Sequence, residues 1–207
     1  MGRNVDLIMN DNYTNRDYFN SVAENWDQIV NHDPGKIEGI LTLAGVKEGD
    51  IVLDVGTGTG VLIPYLYKRI SDTGKIVAVD VADKMIEVAK RKYPYPNVSF
   101  VVGDAQDIEA GKGSLDFVIC YSMFPHFSDK RAAVINLSRY LRKGGRLVIA
   151  HSQSRQAIND LHQNASEEVR NDRLPSADVL REYYFEAGLD VVEVVDSDEM
   201  FVVIGQK

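Results

Sequence analysis

The chain has 207 residues, 44% of them hydrophobic and 26% charged, a globular balance that excludes disorder or low complexity over its whole length. Lysine and arginine total 23 against 31 aspartates and glutamates, and the net charge of −8 argues against duplex DNA or bulk RNA as a partner. The single cysteine, Cys120, leaves no intramolecular disulfide and no cysteine metal cluster, as a reducing compartment favours.

Met1–Asp6 has no apolar signal-type stretch, and no run approaches the roughly 18 apolar residues of a membrane span. The expectation is a cytoplasmic protein of one domain, with N-terminal helices over 1–45 and a core over 46–207. The first dozen residues are polar and expected to fray. Tyr18, Phe19, Val22, Ala23, Trp26 and Ile29 recur at helical spacing, which predicts one helix from Tyr13 to Gln28. Pro34 opens a second helix that Gly45 stops.

Strands and helices then alternate. Strands are predicted at Ile51–Val55, Lys75–Val79, Val98–Val102, Leu115–Cys120 and Arg146–Ala150. Helices are predicted at Val61–Ile70, Met85–Lys92, Lys130–Leu141 and Gln156–Gln163, and a further one, preceded by Pro175 and Ser176, runs to about Ala187. Leu189–Val195 and Glu199–Gly205 close the chain as an antiparallel pair joined by Asp196-Ser197-Asp198. The alternation predicts an α/β fold, a Rossmann-like doubly wound sandwich with ligands at the carboxyl ends of its strands.

The first strand runs into Asp54-Val55-Gly56-Thr57-Gly58-Thr59-Gly60. Glycines here allow a sharp turn and let a ligand lie on bare main chain. The spacing is not the dinucleotide G-x-G-x-x-G, because the third glycine comes one residue early, and no Walker Gly-Lys-Ser/Thr follows. Asp80 ends the second strand about 20 residues beyond, where a carboxylate can accept both ribose hydroxyls. Asp83 is the expected cap of the following helix. Asp104-Ala105 ends the third strand, where a carboxylate and the next amide can read an adenine amine and ring nitrogen. Asp104 as a plain turn residue is the alternative.

The ordered segments VLDVGTGTG (52–60), VAVDVADKMIEVAK (77–90), VGDAQDI (102–108), LDFVICYSMFPHF (115–127) and LRKGGRLVIAH (141–151) resemble the class I S-adenosylmethionine-dependent methyltransferases. YFNSVAENWD (18–27) is similar to the entry helix of their menaquinone/ubiquinone-type small-molecule branch. The resemblance implies a seven-stranded, mostly parallel sheet with an antiparallel last strand, and S-adenosylmethionine as cofactor. It implies that Gly56, Gly58 and Gly60 cradle the methionine part and that Asp54 fixes the loop. Asp80 would bind the ribose with Val81 against the adenine, Asp104 and Ala105 would read the adenine, and Cys120 and Tyr121 would line the methyl-donor face. A sulfonium cation also suits three nearby carboxylates better than a pyrophosphate does. The implied activity is SN2 methyl transfer to a small-molecule acceptor, by a monomer or homodimer without membrane insertion. A non-catalytic S-adenosylmethionine-binding protein and a metal-assisted enzyme are the alternatives.

The four histidines are His32, His126, His151 and His162. His126 and His151 follow the fourth and fifth strands, on the ligand edge. In the bland reading His126 caps a helix, His151 satisfies strand-end backbone and His162 is solvated. In the second, His151 or His126 is a general base, a role suited to an imidazole pKa of about 6.5. In the third, His126, His151 and His162, with Asn159 or Asp160, hold a metal ion. The polar run from His151 through Arg155, with Asn159 and His162, reads as substrate recognition and departs from a pocket for a long apolar quinone. Tyr13, Tyr18, Phe19 and Trp26 are candidates for an aromatic lid. Cys120 also reads as a small apolar filler, and Tyr183, Tyr184 and Phe185 as core or edge.

Overall fold

The computed structural model describes residues 11–108, 111–165 and 169–207, with side chains from residue 15 onward. The expectations for residues 1–10 and for the Tyr13 side chain lie outside the described residues. Seven strands form one sheet: β1 (Ile51–Val55), β2 (Lys75–Asp80), β3 (Val98–Val102), β4 (Leu115–Tyr121), β5 (Leu141–His151), β6 (Asp190–Asp196) and β7 (Phe201–Gln206). Their order is β3-β2-β1-β4-β5-β7-β6. The first five are mutually parallel, and β7 runs antiparallel to both β5 and β6. This is the predicted doubly wound sandwich.

The helices are α1 (Asp11–Val22), α2 (Trp26–Ile29), α3 (Pro34–Ala44), α4 (Ile63–Ile70), α5 (Asp83–Lys92), α6 (Lys130–Ser138), α7 (Arg155–Gln163) and α8 (Ala177–Glu186). Both sheet faces are covered, which is why the central strands read as unbroken apolar runs rather than alternating ones. Leu53, Val55, Val118 and Cys120 pack on one side with Leu137 of α6 and Leu180 and Tyr184 of α8. Val52, Ile76 and Ile119 pack on the other with Ile37, Ile40 and Leu41 of α3 and Leu66 and Ile70 of α4.

Three local predictions need correction. The helix expected over Tyr13–Gln28 is interrupted by a 3-10 turn at Ala23–Asn25, which redirects the chain so that Trp26 turns toward the glycine loop. Gly144-Gly145, expected to follow a longer α6, lie inside β5. A Cβ on Gly145 would come 2.8 Å from the Leu115 carbonyl, so glycine marks a close backbone approach beside a register shift in β4. Asp83 does not cap α5: its carboxylate accepts from Arg16 and Asn20 of α1, both at 2.9 Å. Tyr184 is core, donating to the Val203 carbonyl at 3.1 Å, while Phe185 is 82% exposed.

Candidate active site

The register sets the site. Val55 pairs with Val79 on one side and Cys120 on the other, so Gly56, Asp80 and Tyr121 stand at one level along the carboxyl edge. Asp80 pairs with Val102, which puts Asp104 two residues further on. Above this edge lies a pocket of about 1120 Å³ including its open mouth. Its floor runs from Gly103, Asp104 and Ala105 through Asp80 and Val81 to Gly56, Thr57 and Gly58, and then to Tyr121 and Ser122. The N-terminal helices roof it with Asn15, Phe19, Trp26 and Asp27.

The loop is held by its own carboxylates. Gly56 and Gly58 have φ of 63° and 55°, the left-handed region that glycine enters without penalty. Thr57 Oγ1 donates to Asp54 Oδ2 at 2.6 Å. Asp80 accepts from the Gly58 amide at 2.8 Å and from the Ala82 amide at 2.9 Å. Burial pushes Asp54 up to about 7, with the Thr57 bond opposing and the Asp80 charge reinforcing the shift. Burial also raises Asp80, against the pull of the Ala82 and Gly58 amides. A cationic ligand would relieve both.

Not every expected residue reaches the pocket. Asp54 is buried beneath the loop, and its expected part as a loop anchor matches its bond to Thr57. Gly60 is turned away, where a Cβ would lie 2.9 Å from Ile63 Cδ1 and Tyr93 Cδ2, so it serves loop-to-helix packing. Cys120 points into the core, fully buried, and burial pushes its thiol far up, which fits an apolar filler rather than a wall residue.

The histidines differ most from expectation. His151 is 1% exposed and absent from the pocket wall; both ring nitrogens lack hydrogen-bond partners among the described residues, so it satisfies no described strand-end backbone group either. Burial holds it neutral, its pKa lowered to about 3, with His126 and His162 adding repulsion. His162 is buried rather than solvated, with Nδ1 2.6 Å from the Asp172 carbonyl. Asn159 exchanges two bonds with the backbone of Leu174, at 3.2 and 2.7 Å. The polar run on α7 therefore straps down the 172–174 segment, a structural use of residues that suggested recognition.

His126 lines the pocket in a 3-10 turn, with Nδ1 2.6 Å from Asp172 Oδ2 and its ring edge-on to Phe19 at 5.2 Å. It does not cap α6; Asp129 does. Among the described residues no three His, Cys, Asp or Glu side chains are placed to hold one metal ion, so the expected alternative of a His126/His151/His162 centre is not formed.

Sequence reasoning gave His32 no role, yet it stands in the pocket wall with Nδ1 3.0 Å from the Tyr121 hydroxyl. Tyr121 in turn donates to Ser152 Oγ at 3.0 Å. Burial lowers His32 and raises Tyr121, so both are neutral near pH 7; Asp27 pulls His32 the opposite way. Ser122, also missed, adopts φ 54° as the chain leaves β4. A second pocket lies beside this group, lined by Asn31, His32, Asp33, Pro34, Ser152 and Gln153.

Known proteins share these features. The methyltransferase domain family matches residues 52–145. O-methyltransferase cnsE of Penicillium expansum is 34% identical over 157 residues, covering 73% of this chain and 56% of that protein. The ubiquinone/menaquinone biosynthesis C-methyltransferase UbiE of Teredinibacter turnerae is 30% identical over 140 residues, covering 63% of this chain and 56% of that protein. The chain thus spans a little over half the length of these curated relatives. A SAM-dependent methyltransferase structure from Aquifex aeolicus superposes with a TM-score of 0.70 at 25% identity, over 90% of this chain and 97% of that one. A methyltransferase in complex with the Haloferax volcanii Trm112 methyltransferase activator shares the fold, with a TM-score of 0.78 at 21% identity over 92% and 96% of the two chains.

In fold and glycine loop the chain resembles the S-adenosylmethionine-dependent methyltransferases, and residues 52–145 match the methyltransferase domain family. The similarity in sequence extends to the UbiE-type methyltransferases.

Proposed function

We propose that the chain transfers a methyl group from S-adenosylmethionine to a small polar acceptor, as a cytosolic protein of one catalytic domain whose pocket is roofed by α1 and α2. The observation that supports this most is the continuous pocket floor from Asp104, just past β3, to Tyr121 at the end of β4. It crosses three strand intervals, roughly 14 Å at about 4.8 Å each, a span that suits an adenosyl group at one end and a methionyl group at the other. When bound, the cofactor supplies an electrophilic methyl group on a sulfonium.

This chain's residues then bind, orient and move a proton. Asp80 takes the ribose hydroxyls, Val81 packs on the adenine, and Asp104 with the Ala105 amide reads its edge. Gly56 and Gly58 present bare backbone to the methionyl part, and Asp54 holds the loop in place. The methyl end lies toward Tyr121, where the second pocket opens. Its lining of Asn31, Asp33, Ser152 and Gln153 favours a compact polar acceptor over a long apolar one. The acceptor's hydroxyl or amine is held by Tyr121 and His32. His126, oriented by Asp172, takes the acceptor's proton as the new bond to the methyl group forms and the bond to sulfur breaks. The His126–Asp172 pair supports turnover over passive binding, because a carboxylate 2.6 Å from Nδ1 fixes the orientation of the imidazole.

The test is transfer of isotope-labelled methyl from S-adenosylmethionine to a panel of small phenols, amines and carboxylates. His126→Gln should bind cofactor normally and lose most of its turnover on any acceptor the wild type uses. Normal turnover by that variant would remove His126 from the mechanism.

A further inference from the structure

Asn15 carries an unexplained polar atom. The residue is 8% exposed and lies in the wall of the cofactor pocket, and its Oδ1 is buried with no hydrogen-bond partner among the described residues. A buried amide oxygen is ordinarily satisfied, and an exception in a pocket wall points to a donor that arrives with the ligand.

The docking of α1 shows which part of the ligand that is. Arg16 Nη2 and Asn20 Nδ2 both donate to Asp83 Oδ1 at 2.9 Å, and Asn20 Oδ1 accepts from the Lys84 amide at 3.0 Å. The helix is thereby fixed on the first turn of α5, three residues past Asp80. At the other end of the roof, Trp26 Nε1 lies 3.9 Å from where a Cβ on Gly58 would stand. Asn15 and Trp26 are eleven positions apart, on the order of 16 Å along a helix, a length reduced where the 3-10 turn bends the chain. The roof therefore runs along the cofactor, with Trp26 over the glycine loop and Asn15 toward the purine end that holds Gly103, Asp104 and Ala105.

We infer that Asn15 is a specificity residue for the adenine ring, an inference that rests on the cofactor reading above. An adenine amine has two N–H donors. Asp104 takes one on the ring-nitrogen edge that the Ala105 amide reads, which leaves the second N–H and N7 unclaimed. An asparagine amide matches that remaining edge with both its groups, accepting from the amine and donating to N7. With acceptors on both sides of the amine, hypoxanthine is rejected, because its oxygen would face Asp104 and Asn15 Oδ1 without a proton between them. Purine recognition thus depends on the roof being closed.

The experiment is calorimetric titration of the full chain with S-adenosylhomocysteine and with its deaminated analogue, S-inosylhomocysteine. Wild type should prefer the adenosyl ligand strongly. Asn15→Ala should lose about tenfold in affinity for S-adenosylhomocysteine and little for the inosyl analogue, so the preference narrows. Arg16→Ala is the comparison, since it loosens the roof without touching the purine and should weaken both ligands alike. An unchanged adenosyl-to-inosyl ratio in Asn15→Ala would overturn the assignment while leaving the cofactor reading intact. Failure of wild type to bind S-adenosylhomocysteine would overturn that reading and this inference with it.

Discussion

The amide of Gly58 donates a 2.8 Å hydrogen bond to Asp80 Oδ2, tying the loop after β1 to the carboxylate that ends β2. The same carboxylate accepts from Ala82 and faces the pocket, so one side chain shapes the loop and, in the proposed function, binds the ribose. Hydrogen bonds to a charged group contribute about 1.5–3 kcal/mol each. Asp80→Ala should therefore weaken S-adenosylhomocysteine binding by about 100-fold or more. Asp80→Asn keeps one acceptor and should lose less. Titration calorimetry on both variants checks this, and near-wild-type binding by Asp80→Ala would remove it from the cofactor site.

Gly56 and Met123 meet just as closely. A Cβ on Gly56 would lie 2.7 Å from Met123 Cγ and 2.8 Å from its Cβ, and the backbone has φ 63°. Gly56→Ala thus combines left-handed strain of about 1–2 kcal/mol with a displaced Met123 in the pocket wall. The variant should unfold several degrees lower and bind cofactor poorly. Adding Met123→Gly should relieve the clash and recover part of the binding, leaving only the backbone strain.

His151 and Asp54 give opposite pH dependences. His151 titrates near 3 in the folded chain against 6.5 unfolded, so stability falls as pH drops below about 6.5, where only the unfolded state gains the proton. Asp54 titrates near 7 folded against 3.8 unfolded, so the folded state holds the extra proton and stability falls as pH rises from 3.8 toward 7. Between pH 5.5 and 7 each contributes on the order of 1–2 kcal/mol, with opposite signs. Wild-type stability should change little between these pH values on their account. Asp54→Asn should become markedly less stable at 5.5 than at 7, and His151→Leu should show the reverse. Urea unfolding at the two pH values measures both.

In the proposed function Tyr121 separates cofactor binding from acceptor handling. Its hydroxyl bridges His32 and Ser152, and its ring stays in the wall if only that oxygen is removed. Tyr121→Phe should bind S-adenosylhomocysteine within about threefold of wild type. Its kcat/KM for the acceptor should fall by about 10- to 100-fold, mostly through KM, as expected for one or two lost polar contacts.

The glycine loop, Asp80, Asp104 and the sheet were legible because each answers a local demand. A strand must turn sharply into a helix, and carboxyl-edge residues follow directly from strand ends. The antiparallel close was legible from a join too short for a crossover. What was hidden depends on distant contacts. His32 becomes a pocket residue only through Tyr121, 89 positions away, and His126 is oriented by Asp172 across 46. His151 looked accessible because it follows a strand on the ligand edge, but pairing with Phe201 of β7 continues to its position and buries it. The strand was expected to begin only at Arg146 because the close approach that Gly145 permits is to Leu115, on another strand.

Thermal unfolding of the purified chain with S-adenosylmethionine, S-adenosylhomocysteine or NAD, with and without EDTA, tests the central claim most directly. A ligand at about 100 times its dissociation constant stabilises by about 2.7 kcal/mol, roughly 5–10 °C for a chain of this size. The account predicts that shift with both adenosyl compounds, none with NAD, and no effect of EDTA. The absence of a shift with either adenosyl compound, or an equal shift with NAD, would contradict it.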